Sequence, residues 1–337
     1  MFDSLNAVKV VVGCSAENLS VDILSSQEPL ILKGLVSHWP IVKASLKSDM
    51  DAMKYILQYY KGESVLAFLG EAREDGRIFY DESLTGFNFK TANAKLDFAL
   101  DQLASCDGKA NSPTIYIGST LIDSYLPGFR AENDLSLRQY NPRVSIWISN
   151  RCRVAAHWDG PKNIACSVVG KRRFTLFPPD QLENLYVGPL DKTPAGQSIS
   201  LVDFYNPDFH RYPKFKEALK HAQVAELEPG DALFLPSMWW HHVESLGAFN
   251  VLVNYWLRET PAFFAGGLDA LDHAILAIKD LPEEQRKAWK NLFNYYVFDY
   301  DKKNFEHLPE PALGSLGEIS EDTARRLRAQ LLGRLNR

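Results

Sequence analysis

The sequence predicts a mainly β protein with helical additions: a double-stranded β-helix, or jelly roll, with an N-terminal α/β elaboration and C-terminal helices. Three observations predict it. Between Thr114 and Leu257, eight short runs of strand character, several alternating apolar and polar, are separated by Gly or Pro turns. After Thr260-Pro261 the apolar residues recur at three- and four-residue spacing to the end, which is the helical period. Before Thr114 the two patterns are interleaved. A jelly roll is one solution for many short strands at such spacing. The expected division is residues 1–112 as an elaboration packed on the barrel, 113–260 as the barrel, and 261–337 as a helical region.

The elements follow in order. "EPLILKGLVSHWP" (28–40) reads as a strand running into a turn at Trp39-Pro40. "SDMDAMKYILQYYKG" (48–62) has acidic residues early and Lys-Gly late, the polarity of a helix. "SVLAFLG" (64–70) and "RIFYDE" (77–82) are strand-like, and "TANAKLDFALDQLASC" (91–106) is amphipathic at helical period. The barrel runs are "TIYIGS", "VSIWIS", "NIACSVVG", "RRFTLFP", "VAELEPG", "DALFLP", "HHVESL" and "FNVLVNYWL", with one helical insert, "PKFKEALKHA" (213–222). In the tail, "SEDT" offers an N-terminal cap to the last helix.

Composition narrows the function classes. The chain has 337 residues, 46% hydrophobic and 23% charged, which fits a soluble globular protein with a sizeable core. A formal net charge of −5 argues against a protein built to hold nucleic acid. Cys14, Cys106, Cys152 and Cys166 form no CxxC pair, so neither a thiolate zinc site nor a disulfide framework is expected, and a cytoplasmic setting is. "VKVVVG" is too short for a signal peptide, and no apolar run is long enough for a membrane span.

The chemistry centres on "HWD" at 157–159. Residues i and i+2 of a strand project from one face, so His157 and Asp159 can offer an imidazole and a carboxylate to one point. Alone, the pair reads first as a surface polar pair or a hydrogen-bonded couple at a strand end, since such pairs are common by chance. Two histidines and one carboxylate on one side of a metal are the ligands of non-haem Fe(II) oxygenases, so a third ligand must come from another strand. "PSMWWHHVESL" supplies His241 and His242, of which alternation lets only one face inward. Trp239 and Trp240 beside them are candidates for a dry wall.

The ordered set "HWDGPKNIACSVVGKRRFTLFPPDQLENLY", "VDFYNPDF", "LEPGDALFLPSMWWHHVESL" and "VNYW" resembles the Jumonji-C type hydroxylases of the cupin superfamily. The resemblance is to the asparaginyl hydroxylase branch that acts on hypoxia-inducible factor and ankyrin repeats. It runs from about "EPLILKG" to "VNYW" and is strongest from 157 to 256. It implies that His157, Asp159 and His241 ligate Fe(II), with His242 facing away. It implies 2-oxoglutarate as cosubstrate, its far carboxylate held by a cation and hydroxyls. The family's lysine fifteen residues past the first ligand is here Arg172, whose guanidinium can grip a carboxylate through two hydrogen bonds. Lys171 and Arg173 would point outward. Tyr116 matches the tyrosine that helps hold the same carboxylate, and Asn163 and Asn254 match amides near the iron and cosubstrate. Val154 stands where the related enzyme offers a threonine hydroxyl, so one cosubstrate hydrogen bond is missing or comes from elsewhere, at a cost of about 1 kcal/mol if nothing compensates.

The implied reaction is hydroxylation of a C–H by O₂ with oxidative decarboxylation of 2-oxoglutarate to succinate and CO₂. The substrate does not carry over. The resemblance implies that the segment holding Ser198 and Ile199 lies near the substrate groove; neither these nor Gly118 after "TIY" offers a long polar side chain to clamp an amide. A protein, a peptide or a small molecule all remain as targets. A cupin holding another divalent metal without oxygenase activity, or a silent scaffold, is the competing reading. The helical tail 262–337 is expected to form a homodimer interface, as in the related hydroxylase.

Overall fold

In the computed structural model, which describes residues 5–17, 19–109 and 111–336, fifteen strands build two sheets. The first eight are β1 (Asn6–Ala7), β2 (Lys9–Val11), β3 (Leu30–Leu32), β4 (Ser64–Gly70), β5 (Arg77–Ile78), β6 (Phe89–Lys95), β7 (Thr114–Leu121) and β8 (Arg143–Ser149). The rest are β9 (Cys152–Trp158), β10 (Lys162–Val169), β11 (Arg172–Phe177), β12 (Gln223–Leu227), β13 (Ala232–Leu235), β14 (Trp240–Ser245) and β15 (Asn250–Leu257). One sheet has the order β1-β12-β11-β14-β9-β5, the other β2-β3-β13-β10-β15-β8-β7-β4-β6. The N-terminal strands β2, β3, β4 and β6 pair directly into the larger sheet, extending both of its sides.

Strand alternation sorts the side chains into layers. On β10, Ile164 and Cys166 join the core behind the larger sheet, while Ala165 between them faces the smaller one. Likewise Val251, Val253 and Tyr255 of β15 point back and Leu252 points in. Between the sheets Phe174, Leu176 and Val243 meet Ala165, Leu233 and Leu252, each fully buried large apolar side chain contributing about 1.5–3 kcal/mol. Helices Asp49–Leu57 and Leu96–Cys106 cover the back of the larger sheet through Ile56, Leu100 and Leu103. Phe204 and Phe215 cover the back of the smaller one against Phe177 and Trp240. The expected jelly roll is the fold.

Four local expectations change. Residues 91–95 are strand, not helix, because Thr91–Lys95 pair in full with Phe68–Ser64 of β4; sheet pairing overrides a helical-looking pattern. Pro40 begins a helix, Pro40–Ser45, rather than closing a turn. "RIFYDE" is strand only at Arg77–Ile78. β9, the strand bearing the first candidate ligand, is absent from the sequence-derived list because a bulge breaks its alternation: His241 and Val243 of β14 face His157 and Val154, two steps against three.

By contact the chain divides at Glu259/Thr260. Within Thr260–Arg337, helices Gly267–Ile278, Glu283–Phe293 and Glu321–Leu335 form, the last capped by Ser320 Oγ accepting from the Thr323 N–H at 3.2 Å. Only Phe305 and Ala324 of this unit are buried among the described residues. Among those residues no helix is long and apolar enough to cross a membrane, and all four cysteines are free.

Candidate metal centre

The two antiparallel strands β9 and β14 set His157 directly opposite His241, with ring centroids 4.3 Å apart. The β9 bulge lets both His157 and Val154, three residues apart, face the space between the sheets. Each imidazole is fixed through its Nδ1: His157 to the Ala155 carbonyl and His241 to the Trp239 carbonyl, both at 3.0 Å. A carbonyl only accepts, so each Nδ1 carries the proton and each Nε2 offers a lone pair, as in metal-bound histidines whose other ring nitrogen rests on a carbonyl.

Asp159 lies one residue beyond the end of β9, on the turn into β10, so strand projection is not what aims it. Its Oδ2 accepts from Trp256 Nε1 at 2.8 Å and from Asn163 Nδ2 at 3.1 Å. Its backbone carbonyl accepts from the N–H of Met238, a residue held in the left-handed region at φ 66°. Such a conformation in a non-glycine residue costs of order 1 kcal/mol and gathers at functional sites. The result brings one atom from each of His157, Asp159 and His241 within 4.8 Å of one another, and Asp159 Oδ2 within 3.7 Å of His241 Nε2. Two imidazoles and a carboxylate gathered this closely are a donor set that could hold one divalent ion. Burial, reinforced by His241 and opposed by Asp159, pushes the His157 imidazole down to about 4, so it is an unprotonated donor at neutral pH.

The other end of the lumen is polar in a different way. Arg172 pairs with Ser245 on β14, four residues and so about 13 Å along the strand from His241. Its side chain is 4% exposed, its Nε and Nη2 have no hydrogen-bond partner, and no carboxylate pairs with it among the described residues. Burial pushes the guanidinium down to about 10, with Tyr116 and Cys152 pulling it back, so the charge persists. Tyr116 lies across from Ser149 on β8, and Ser149 Oγ bonds Ser245 Oγ between the two sheets at 3.2 Å. The Tyr116 ring stacks on Trp147, and its hydroxyl has no partner among the described residues.

The remaining sequence-derived candidates lie between these ends. Asn163 faces the metal end through its bond to Asp159, leaving Oδ1 buried and unpartnered. Asn254 Oδ1 accepts from the Trp147 Nε1–H at 2.8 Å. His242 faces outward against Phe204, as alternation requires, and Lys171 and Arg173 pair with Glu228 and Glu226 on the outer side. Of the two tryptophans expected as a wall, Trp239 lies in the core between the sheets and Trp240 in the core behind them. Val154 lines the lumen as expected, and Ser149 and Ser245 bring hydroxyls to the Arg172 end. Sequence reasoning missed both serines, together with Trp147 and the indole bond of Trp256. The signal was there for Trp256, two residues past Asn254 and therefore on the same face.

Ile199 is fully buried against Phe79 and Tyr80, and Ser198 Oγ is taken by the Pro189 carbonyl. A Cβ on Gly118 would lie 3.1 Å from the Phe68 ring and 3.4 Å from Trp147, so even a methyl there needs the aromatic wall to give by a few tenths of an ångström.

Fold and site together define a jelly-roll protein with a His-Asp-His cluster between its sheets. The chain matches the cupin-like domain over residues 16–263 and belongs to that family. Distant homologues in that family are of Jumonji-C, oxygenase type. It is 34% identical over 133 residues to human HSPB1-associated protein 1, covering 38% of this chain and 26% of that protein. It is 32% identical over 117 residues to the Arabidopsis thaliana lysine-specific demethylase JMJ31, covering 34% and 21%. It is 29% identical over 196 residues to the mouse tRNA wybutosine-synthesizing protein 5, covering 53% and 56%. The chain thus spans between about a fifth and just over half of these curated relatives.

Proposed function

We propose that this protein is an Fe(II)- and 2-oxoglutarate-dependent oxygenase that hydroxylates a C–H of a protein, peptide or small molecule. The observation that carries the reading is Arg172: a buried, charged guanidinium with no anionic partner, in the same lumen as a His-Asp-His cluster. A buried cation left unpaired costs several kcal/mol, so its retention points to an anion that arrives from outside. A metal-binding cupin without oxygenase chemistry has no use for that cation.

In this reading His157, Asp159 and His241 hold the ion on one side and leave the other side open. Arg172 takes the far carboxylate of 2-oxoglutarate through its unpartnered N–H groups, assisted by the Tyr116 hydroxyl and by Ser245 in place of the hydroxyl that Val154 lacks. Asn254, its oxygen engaged by Trp147, offers its NH₂ to the ligand. Asn163 is likewise a donor, through the N–H that Asp159 leaves free; a carboxylate ligand cannot use its Oδ1. When bound, iron and 2-oxoglutarate together supply O₂ activation, with succinate and CO₂ as products. The protein's part is to orient them and to keep water out with Trp147, Trp239 and Trp256.

The relatives' names mention a lysine demethylase and a tRNA-modifying protein, so family membership leaves the substrate open. The blocked amide clamp at Gly118 and Ile199 favours a target other than an asparagine side chain. We read the free cysteines as those of a cytoplasmic protein. The helical unit we read as a homodimer interface. Leu276, Phe298 and Leu332 are 77%, 73% and 61% exposed on a unit with almost no core of its own, and a second copy is the partner that covers the same face on both subunits. Light scattering at micromolar concentration should give a dimer; a monomer would exclude that interface.

The functional test is turnover. Protein with Fe(II), 2-oxoglutarate and O₂ should release succinate and add about 16 Da to a component of a peptide library or cell extract. Succinate release that is absent from the wild type, or unchanged in His157→Ala, would refute the reading.

A further inference from the structure

Asp159 is the candidate ligand that no strand aims, because it stands one residue beyond the end of β9. Its orientation rests on two donors, Trp256 Nε1 at 2.8 Å and Asn163 Nδ2 at 3.1 Å, both on Oδ2. The indole is the better fixed of the two. Trp256 meets Trp147 edge to face at 6.0 Å, and the Arg143 guanidinium lies 5.6 Å over its ring. Trp147 is itself tied by its Nε1 to Asn254 and stacked on Tyr116. An indole N–H only donates and cannot change role, so it holds a carboxylate oxygen without competing for the metal.

We propose that Trp256 is a positioning residue for Asp159, its indole N–H holding the carboxylate in the orientation that completes the metal site. The proposal rests on the metal reading above and adds a residue that no ligand pattern contains. It also links the two ends of the lumen: a chain of contacts runs from Asp159 through Trp256 and Trp147 to Asn254 and Tyr116. Outer-shell partners of this kind typically change metal affinity by 10–100-fold.

The test uses Co(II) as a spectroscopic probe in the full-length protein, with Trp256→Phe, which keeps an aromatic ring and removes the donor. The expected result is a 10–100-fold weaker Co(II) affinity and a changed visible ligand-field spectrum, with the unfolding midpoint of the metal-free protein little altered. Unchanged affinity and spectrum, with or without a lower metal-free midpoint, would mean that Trp256 only packs, and would overturn the proposal. Should the phenylalanine variant not fold, benzothienylalanine at position 256 keeps the indole outline while replacing N–H by sulfur, and the same two outcomes apply. Wild-type protein that takes up no Co(II) would instead overturn the metal reading, and this inference with it.

Discussion

The two ends of the barrel lumen are furnished in opposite ways. At the triad the protein makes the polar contacts itself: both Nδ1 atoms rest on carbonyls at 3.0 Å, and one Asp159 oxygen accepts two donors. At the Arg172 end the contacts are missing, with Nε and Nη2 bare in a buried side chain. A satisfied shell leaves side chains pre-oriented, which suits an ion whose ligands must stay still. An unsatisfied shell describes a guest that brings its own acceptors, which suits a dicarboxylate. The pattern of met and unmet hydrogen bonds therefore separates what the protein supplies from what it receives.

That contrast can be broken first at the metal end. His157→Ala or Asp159→Ala should abolish metal-dependent stabilisation, which for wild type amounts to about 2.7 kcal/mol at a metal concentration a hundred times Kd. Thermal unfolding with and without Mn(II) reads it. A variant that keeps the full shift removes the triad from the account.

The other end should behave in the reverse sense. Arg172→Met replaces a buried cation without a partner by an apolar chain of similar length, so the metal-free protein should be as stable as wild type, or more so by about 1–4 kcal/mol. The same variant should keep the metal shift and lose the added shift from 2-oxoglutarate. A substantial destabilisation of the metal-free form would mean that Arg172 is a structural cation.

Acid should act on the satisfied end. His157 is pushed down to about 4, chiefly by burial, and His242 on the outer face to about 3, also by burial. In the unfolded chain both titrate near 6.5. Below that pH the unfolded state binds protons that the folded state refuses. Stability is therefore full above about pH 6.5 and falls as pH drops toward 4. Urea midpoints of metal-free protein at pH 7, 6 and 5 should decrease in that order, less steeply in His242→Phe. A flat series would show that these imidazoles protonate freely in the fold.

The smallest expected effect is at the wall between the ends. Gly118→Ala places a methyl 3.1 Å from Phe68, forcing the ring to shift at a cost of about 1 kcal/mol, with 2-oxoglutarate affinity reduced through Trp147 and Tyr116. Denaturant unfolding and a 2-oxoglutarate titration check both halves; an unchanged midpoint would mean the wall yields freely.

Much of this was legible in the sequence because strand alternation leaves a direct trace. All eight barrel runs fall on strands, β7, β8 and β10 to β15, and the alternation of "HHVESL" lets only one of its histidines face inward. What was not legible had physical causes. The β9 bulge erased the alternation of the strand carrying His157, and full pairing with β4 turned helical-looking residues 91–95 into a strand. The Ser149–Ser245 bond and the Trp256–Asp159 bond join residues about a hundred positions apart, so no local pattern announces them. Arg172 was visible as a residue, but its lack of a partner is a property of three dimensions.

The most direct measurement is the 2-oxoglutarate affinity of wild type and Arg172→Met by calorimetry, anaerobically, with Mn(II) in the metal site. Binding by wild type, weakened at least 100-fold in Arg172→Met while Mn(II) affinity stays the same, is the result this account requires. Equal 2-oxoglutarate affinity in the two proteins, or none in wild type, would contradict it.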